Sequence, residues 1–491
     1  IGGAATNELD RVTYEVVRRL ADPTRKEPYQ SKGLVVGHVQ SGKTANFTGV
    51  LAKAVDAGYR LVIVLTGTIE LLRGQTQRRI DMELVGEENI LGGRDKDDPE
   101  QIQDVDYAGI GDKDWRDGKF LRHGKHPKDL GKPGIRRLTN AKGDYKSLRN
   151  GLGYLDFRDS DHLVHPELPL HDSSNLFGTD IRLAVVKKQK NVLEKLIKDL
   201  KATRVKLAEI PTLIIDDEAD QASVNTKDNR KKSPEDRART TINRLIAELL
   251  HELPRAQYVA YTATPFANVF VDPDDVDDIF PKDFIVSLEP PTAYMGGKAF
   301  HDLDRDPDGL DEVDVSAPEN SLALSNERAY IRDLTADLDN DHQKRRDELR
   351  SALDSFVLSG ALKLHRRSVG HPGDYRHHTM LVHESVRQQD HKELADTVED
   401  VWKSAGYSTP EGMRRLHQLY KDDFAPVTAA RASQAPTPAD FRELLPFIGE
   451  SVTRINGGTR PVIIVNGAAE KDYTQPGLDF QADDVWKVLV G

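Results

Sequence analysis

Gly37-His38-Val39-Gln40-Ser41-Gly42-Lys43-Thr44 is the stretch whose reading decides the fold. It has the form G-x-x-x-x-G-K-T. Upstream, the apolar run Gly33-Leu34-Val35-Val36 suits a buried strand. Downstream, Ala45 to Ala57 carries Phe47, Val50, Leu51 and Ala54 at helical spacing, so the order is strand, loop, helix. In that setting the glycines let the backbone close around phosphates, and successive N–H groups at a helix N-terminus face the negative charge. Gly37, Gln40, Ser41, Gly42, Lys43 and Thr44 are therefore expected to hold a nucleoside triphosphate. Lys43 would reach the β- and γ-phosphates as a catalytic cation, and the Thr44 hydroxyl would ligate Mg²⁺.

Working outward, Arg60-Leu61-Val62-Ile63-Val64-Leu65 reads as a second buried strand. It leads through Thr66-Gly67-Thr68 into a helix carrying Leu71, Leu72, Gln75, Arg78 and Arg79. Strand–helix alternation of this kind predicts a parallel sheet covered on both faces. From about Gly92 to Ser160 the periodicity dissolves into a Gly-, Asp-, Lys- and Arg-rich segment, read as a surface insertion. Order returns with the strand Ile181 to Val186 and a helix through Leu193, Leu196, Ile197 and Leu200.

The next strand, Leu213-Ile214-Ile215, runs into Asp216-Asp217-Glu218-Ala219-Asp220. An apolar strand ending in carboxylates is what a Mg²⁺–nucleotide site needs opposite a phosphate loop. Asp217 is assigned to the metal, with Asp216 as a rival, and Glu218 to activation of the attacking water. Further on, Tyr258 to Tyr261 forms a strand ending in Thr262-Ala263-Thr264-Pro265. The Thr262 and Thr264 hydroxyls are placed to bond the acidic motif and couple nucleotide state to lobe movement.

Hydrophobic residues make up 37% of the 491-residue chain and charged residues 31%, a composition long enough for two or three domains. No apolar run approaches a membrane span. The absence of cysteine excludes disulfides and thiolate metal sites and fits a reducing cytoplasm. A net charge of −12 excludes a general basic footprint, so any nucleic acid, DNA before RNA, would need a local basic groove.

G-x-x-x-x-G-K-T, then D-E-A-D, then T-A-T-P resembles, in that order, motifs I, II and III of superfamily-two helicases and translocases. Gly37 to Phe47, Ile63 to Gly67, Gln75 to Arg79, and Tyr261 to Asn268 together are similar to the Z-one domain family. Its members are bacterial helicase-like ATPases, often labelled endonucleases, of restriction and phage-defence operons. The resemblance implies an α/β fold of two RecA-like parallel-sheet lobes with helical and loop insertions, ATP and Mg²⁺ between them, and a nucleic-acid path across both. It also implies partner proteins from a defence operon. Thr66, Thr68, Gln75 and Arg78 become candidates for nucleic-acid contacts. The arginine-bearing motif expected in the second lobe is not visible before Gly491, so that lobe is expected to be incomplete and no arginine finger can be named.

The domains expected are a first lobe over 1–300 with insertions near 92–180 and 225–240, a linker over 301–340, and a second lobe over 341–491 with a helical insertion near 387–457. The function expected is an ATP-dependent, nucleic-acid-stimulated motor or switch. The alternatives are an ATP-regulated endonuclease and a non-translocating nucleotide switch that recruits an effector. For a nuclease centre the candidates are Asp274, Asp275, Asp277 and Asp278 with Lys282, which read better as an acidic loop. His377, His378 and His383 read better as strand-edge and core histidines than as metal ligands.

Overall fold

The computed structural model describes residues 3–38, 42–145, 165–203, 206–220, 234–265, 279–290, 294–302, 322–337, 340–373, 375–385, 388–458, 460–465 and 484–491. The chain divides into two compact units, Ile1–Tyr294 and Met295–Gly491. No helix among the described residues is long and apolar enough to cross a membrane.

The first unit is built on helix α1 (Gly3–Val17), strand β1 (Lys32–Val36), helix α2 (Lys43–Ala57), strand β2 (Leu61–Thr66) and helix α3 (Glu70–Ile80). Strands β3 (Ile135–Arg137), β4 (Ile181–Lys187), β5 (Thr212–Asp217), β6 (Ala256–Thr262) and β7 (Phe284–Ser287) complete it. Seven strands form one sheet in the order β3-β4-β2-β5-β6-β1-β7, and every pairing is parallel. A parallel sheet needs cover on both faces, and the side-chain alternation supplies it. Ile63, Leu65 and Ile214 pack beneath the helices Lys190–Lys201 and Pro234–Glu252, against Leu193, Leu196, Leu245 and Leu249. Val62, Val64, Leu213 and Ile215 face the other way, onto Val12 and Val16 of α1 and Phe47, Val50 and Leu51 of α2. One strand, β6, separates the phosphate-loop strand β1 from the acidic strand β5, and this unit is RecA-like.

The segment after Gly92 departs from the surface insertion expected. Its described part supplies β3, which extends the sheet beside β4, and it buries Val105, Tyr107 and Phe120. Arg137 of β3 donates to Asp81 at 2.8 Å and Asp106 at 2.9 Å, and the Tyr107 hydroxyl donates to Asp81 at 2.9 Å. Periodicity missed this because the segment is anchored by paired charges as much as by an apolar face. The run Arg94 to Glu100 is solvent-facing, as its charge suggests. Strands β3 and β7 are short edges, which carry too few residues for an alternation signal.

In the second unit, strands β8 (His378–Val382), β9 (Val462–Ile464) and β10 (Trp486–Val490) form a parallel sheet in the order β8-β10-β9. The helices His342–Ser368, Gln388–Ser404 and Leu445–Asn456 bring Phe356, Val357, Leu394, Val398 and Ile448 to the core containing Trp486 and Val488. His378 is a core histidine. It stacks on Phe356 at 4.3 Å between ring centroids, and burial pushes it down to about 4, which keeps it neutral. The helix Leu445–Asn456 follows a short turn capped by Asp440, whose Oδ1 accepts the Arg442 N–H at 2.8 Å. Asp440 is the acceptor nearest the first free N–H groups, whereas the Thr437 hydroxyl turns back to the Ala435 carbonyl.

Gly33 pairs with Phe284 across β1 and β7, and a Cβ there would meet the Phe284 ring at 2.1 Å. Gly33→Ala is expected to destabilise the protein by about 1–3 kcal/mol through overpacking. Calorimetric melting should show the loss, with partial recovery when Phe284→Leu is added.

Candidate nucleotide site

The phosphate loop turns into α2 at Gly42, whose φ of 90° lies in the left-handed region and suits glycine. The helix starts at Lys43, so its free N–H groups open onto the loop. The Lys43 ammonium donates to the Gly37 carbonyl at 3.2 Å and the His38 carbonyl at 3.0 Å. Both acceptors are neutral, which leaves the positive charge available to an anion. Thr44 sits in the first turn of α2. Gln40 and Ser41 lie outside the described residues.

On the acidic side, Asp216 is fully buried. One of its oxygens accepts the Lys188 ammonium at 2.8 Å and the other accepts the Tyr258 hydroxyl at 2.5 Å. This corrects its candidacy for the metal, since both oxygens are engaged inside the sheet. Asp217 and Glu218 emerge beyond it, half-buried. Burial, and next the neighbouring Glu218, push the Asp217 carboxyl up to about 6. Glu218 takes a φ of 53°, unusual for a residue with a Cβ. Its Oε2 is buried with no hydrogen-bond partner. An orphaned carboxylate oxygen beside a carboxyl of raised pKa fits a hard divalent cation and its water shell.

The C-terminal end of β6 joins the two loops. The Gly37 N–H donates to the Thr262 carbonyl at 3.0 Å, and the Ala219 N–H to the Tyr261 carbonyl at 2.9 Å. The fully buried Tyr261 hydroxyl donates to Asn46 of α2 at 2.9 Å. With one strand between them, β1 and β5 stand about 10 Å apart, a span that a triphosphate and its metal can bridge. Thr262 and Thr264 both donate to Asp220, at 2.7 and 2.5 Å, and the Thr264 N–H returns to the Thr262 hydroxyl at 2.9 Å.

Sequence reasoning missed Asn46, Lys188, Tyr258 and Tyr261. A lysine pair ending a strand reads as solvated, and a tyrosine inside an apolar run reads as core. Of the four nucleic-acid candidates, Thr68 and Gln75 are exposed. Two are corrected. Thr66 is buried with its hydroxyl toward the Val186 carbonyl at 3.3 Å. Arg78 is held by Asp112 at 3.0 Å and Asp114 at 2.7 Å, so its charge is already compensated. Asp274 to Asp278 lie outside the described residues, and among those described no group of three or more His, Asp or Glu side chains is arranged to hold a metal.

Residues 348–491 match the family model of the Z1 (Z-one) domain. The Z1 match lies within the second unit, whereas the motifs that resemble this family lie in the first, so the two signals come from separate parts of the chain. No curated protein matches the sequence. Among solved structures the chain is similar to the Pyrococcus furiosus Hef helicase domain, at 12% identity and a TM-score of 0.25, covering 90% of this chain and 59% of that one. It is also similar to S. cerevisiae Dbp5 bound to RNA and ADP BeF3, at 15% identity and a TM-score of 0.26, covering 80% of this chain and 71% of that one.

The Asp217 shift has a signed consequence. Its folded carboxyl holds a proton more tightly than the ordinary 3.8, so its contribution favours folding at low pH and is lost as pH rises through about 6. Metal-free protein is expected to lose stability across that window, and Asp217→Asn should flatten this limb in melts recorded from pH 4 to pH 7. Mg²⁺ competes with the proton, so its stabilising effect should grow over the same range.

Proposed function

We propose that this chain is a nucleic-acid-stimulated ATPase, acting as a helicase-like motor or switch in bacterial phage defence or restriction. The observation that supports it is the anchoring of a G-x-x-x-x-G-K-T loop and a carboxylate pair to one strand end, through the Gly37–Thr262 and Ala219–Tyr261 hydrogen bonds. A positively charged helix start beside a strand end carrying two carboxylates suits a triphosphate and a divalent cation better than either ligand alone.

In this reading Gly37, Gln40, Ser41, Gly42 and the start of α2 cradle the phosphates, and Lys43 moves from the loop carbonyls onto the β- and γ-oxygens. Thr44 and Asp217 hold Mg²⁺, which when bound supplies positive charge to the phosphate oxygens. Glu218 orients the attacking water and accepts its proton. Thr262 and Thr264 sense the acidic loop through Asp220 and relay its state. Thr68 and Gln75 are the nucleic-acid contacts, with DNA as the polymer. The domains are the lobes over 1–300 and 341–491 joined across 301–340. The cysteine-free composition supports the cytoplasmic setting, and the Z1 resemblance supports the defence setting and operon partners.

Steady-state ATP hydrolysis with and without DNA tests this. Wild type should hydrolyse ATP faster with DNA. Glu218→Gln should cut kcat roughly 10²- to 10⁴-fold, the usual worth of a general base, while keeping nucleotide affinity. Lys43→Ala should weaken affinity as well. Hydrolysis that is absent in wild type, or that survives both substitutions, sinks the reading.

A further inference from the structure

Lys188 has no place in the reaction as read above, yet its ammonium is the most committed cation at the site. It follows β4, is 1% exposed, and lies directly behind the acidic loop. One nitrogen donates to three oxygens: Asp216 Oδ1 at 2.8 Å, the Asp217 carbonyl at 2.9 Å and the Glu218 carbonyl at 2.7 Å. Its own N–H donates to the Thr66 carbonyl at 3.2 Å, fixing it to the end of β2.

Neutralising Asp216 needs only the first of those three contacts. The other two fall on the main chain of Asp217 and Glu218, where φ at Glu218 is 53°. A residue with a Cβ stays in that region only when its surroundings hold it. The peptide planes on either side of Glu218 decide where both side chains point. We infer that Lys188 is a positioning residue, which clamps the Asp217 and Glu218 carbonyls and thereby aims the two carboxylates at the metal and the water of the nucleotide site. The inference rests on the ATPase reading but concerns the geometry of the acidic pair.

The ammonium chemistry offers a test that separates a clamp from simple charge neutralisation. A single ammonium nitrogen carries three donors, whereas no nitrogen of a guanidinium carries more than two. Lys188→Arg keeps the charge opposite Asp216 but cannot place three bonds from one atom. Lys188→Met/Asp216→Asn removes the buried charges together and keeps an acceptor for Tyr258.

Two readouts are compared, after calorimetry shows which variants fold. The first is the gain in affinity for a non-hydrolysable ATP analogue on adding Mg²⁺. The second is kcat for ATP. Either folded variant should lose roughly 10- to 100-fold in the Mg²⁺ gain and in kcat, as for other residues that orient metal ligands, while metal-free analogue binding stays within about twofold of wild type. A Lys188→Arg protein, or a double variant, with wild-type Mg²⁺ gain and kcat overturns the clamp and leaves the ATPase reading standing. A wild type that gains affinity from Mg²⁺ but hydrolyses nothing sinks the ATPase reading, and the clamp is then judged by the Mg²⁺ gain alone. A wild type that binds no nucleotide removes both.

Discussion

Two backbone hydrogen bonds at the end of β6 hold the site together. The Thr262 carbonyl takes the Gly37 N–H and the Tyr261 carbonyl takes the Ala219 N–H, so neighbouring residues of one strand fix the starts of both functional loops. The strand itself is buried along its whole length. Its position between β5 and β1 sets the gap across which a phosphate loop and a carboxylate pair can share a ligand. The Tyr261 hydroxyl on Asn46 ties the same strand to α2. Movement of β6 would therefore be felt by both sides of the site at once.

Behind that arrangement sits a buried polar layer of Asp216, Lys188 and Tyr258. A charged pair with both side chains inaccessible to water is costly to desolvate and gives little net stability against an apolar substitute. Its presence is more readily understood through what the other two contacts of Lys188 do, since its ammonium continues to the main chain of the acidic loop. The strained φ at Glu218 and the orphaned Oε2 are local departures from good packing. Such departures gather where a ligand is to complete the bonding.

A second polar centre, Asp81 with Arg137, Asp106 and Tyr107, fastens the segment after Gly92 to the end of α3. Gln77 extends it to Thr139, whose hydroxyl accepts the Val185 N–H of β4. The insertion is thus part of the sheet's edge structure. Thr68, just before α3, and Gln75, midway along it, are exposed, so the helix that carries Gln75 is held by buried ionic contacts at its C-terminal end.

The sequence by itself determined the order of elements around Gly37 to Thr44, the strands β2, β4, β5 and β6, and the identity of the loops that meet. Each is written in short-range signals: apolar runs, helical spacing, glycines and terminal carboxylates. The Z1 resemblance was likewise legible in local motifs, and the match over 348–491 comes from a different stretch. Only the tertiary structure decided which carboxylate is fully buried. Asp216 and Asp217 are adjacent and chemically identical, and strand alternation turns one inward onto Lys188 and Tyr258 while the other stays half-buried toward the site. It likewise decided that Thr66 is buried and Arg78 is paired, because burial and pairing depend on residues 34 to 120 positions away. Contacts across such separations leave no periodic trace in the chain, which is why Lys188, Asn46 and the edge strand β3 could be seen only once the sheet had assembled.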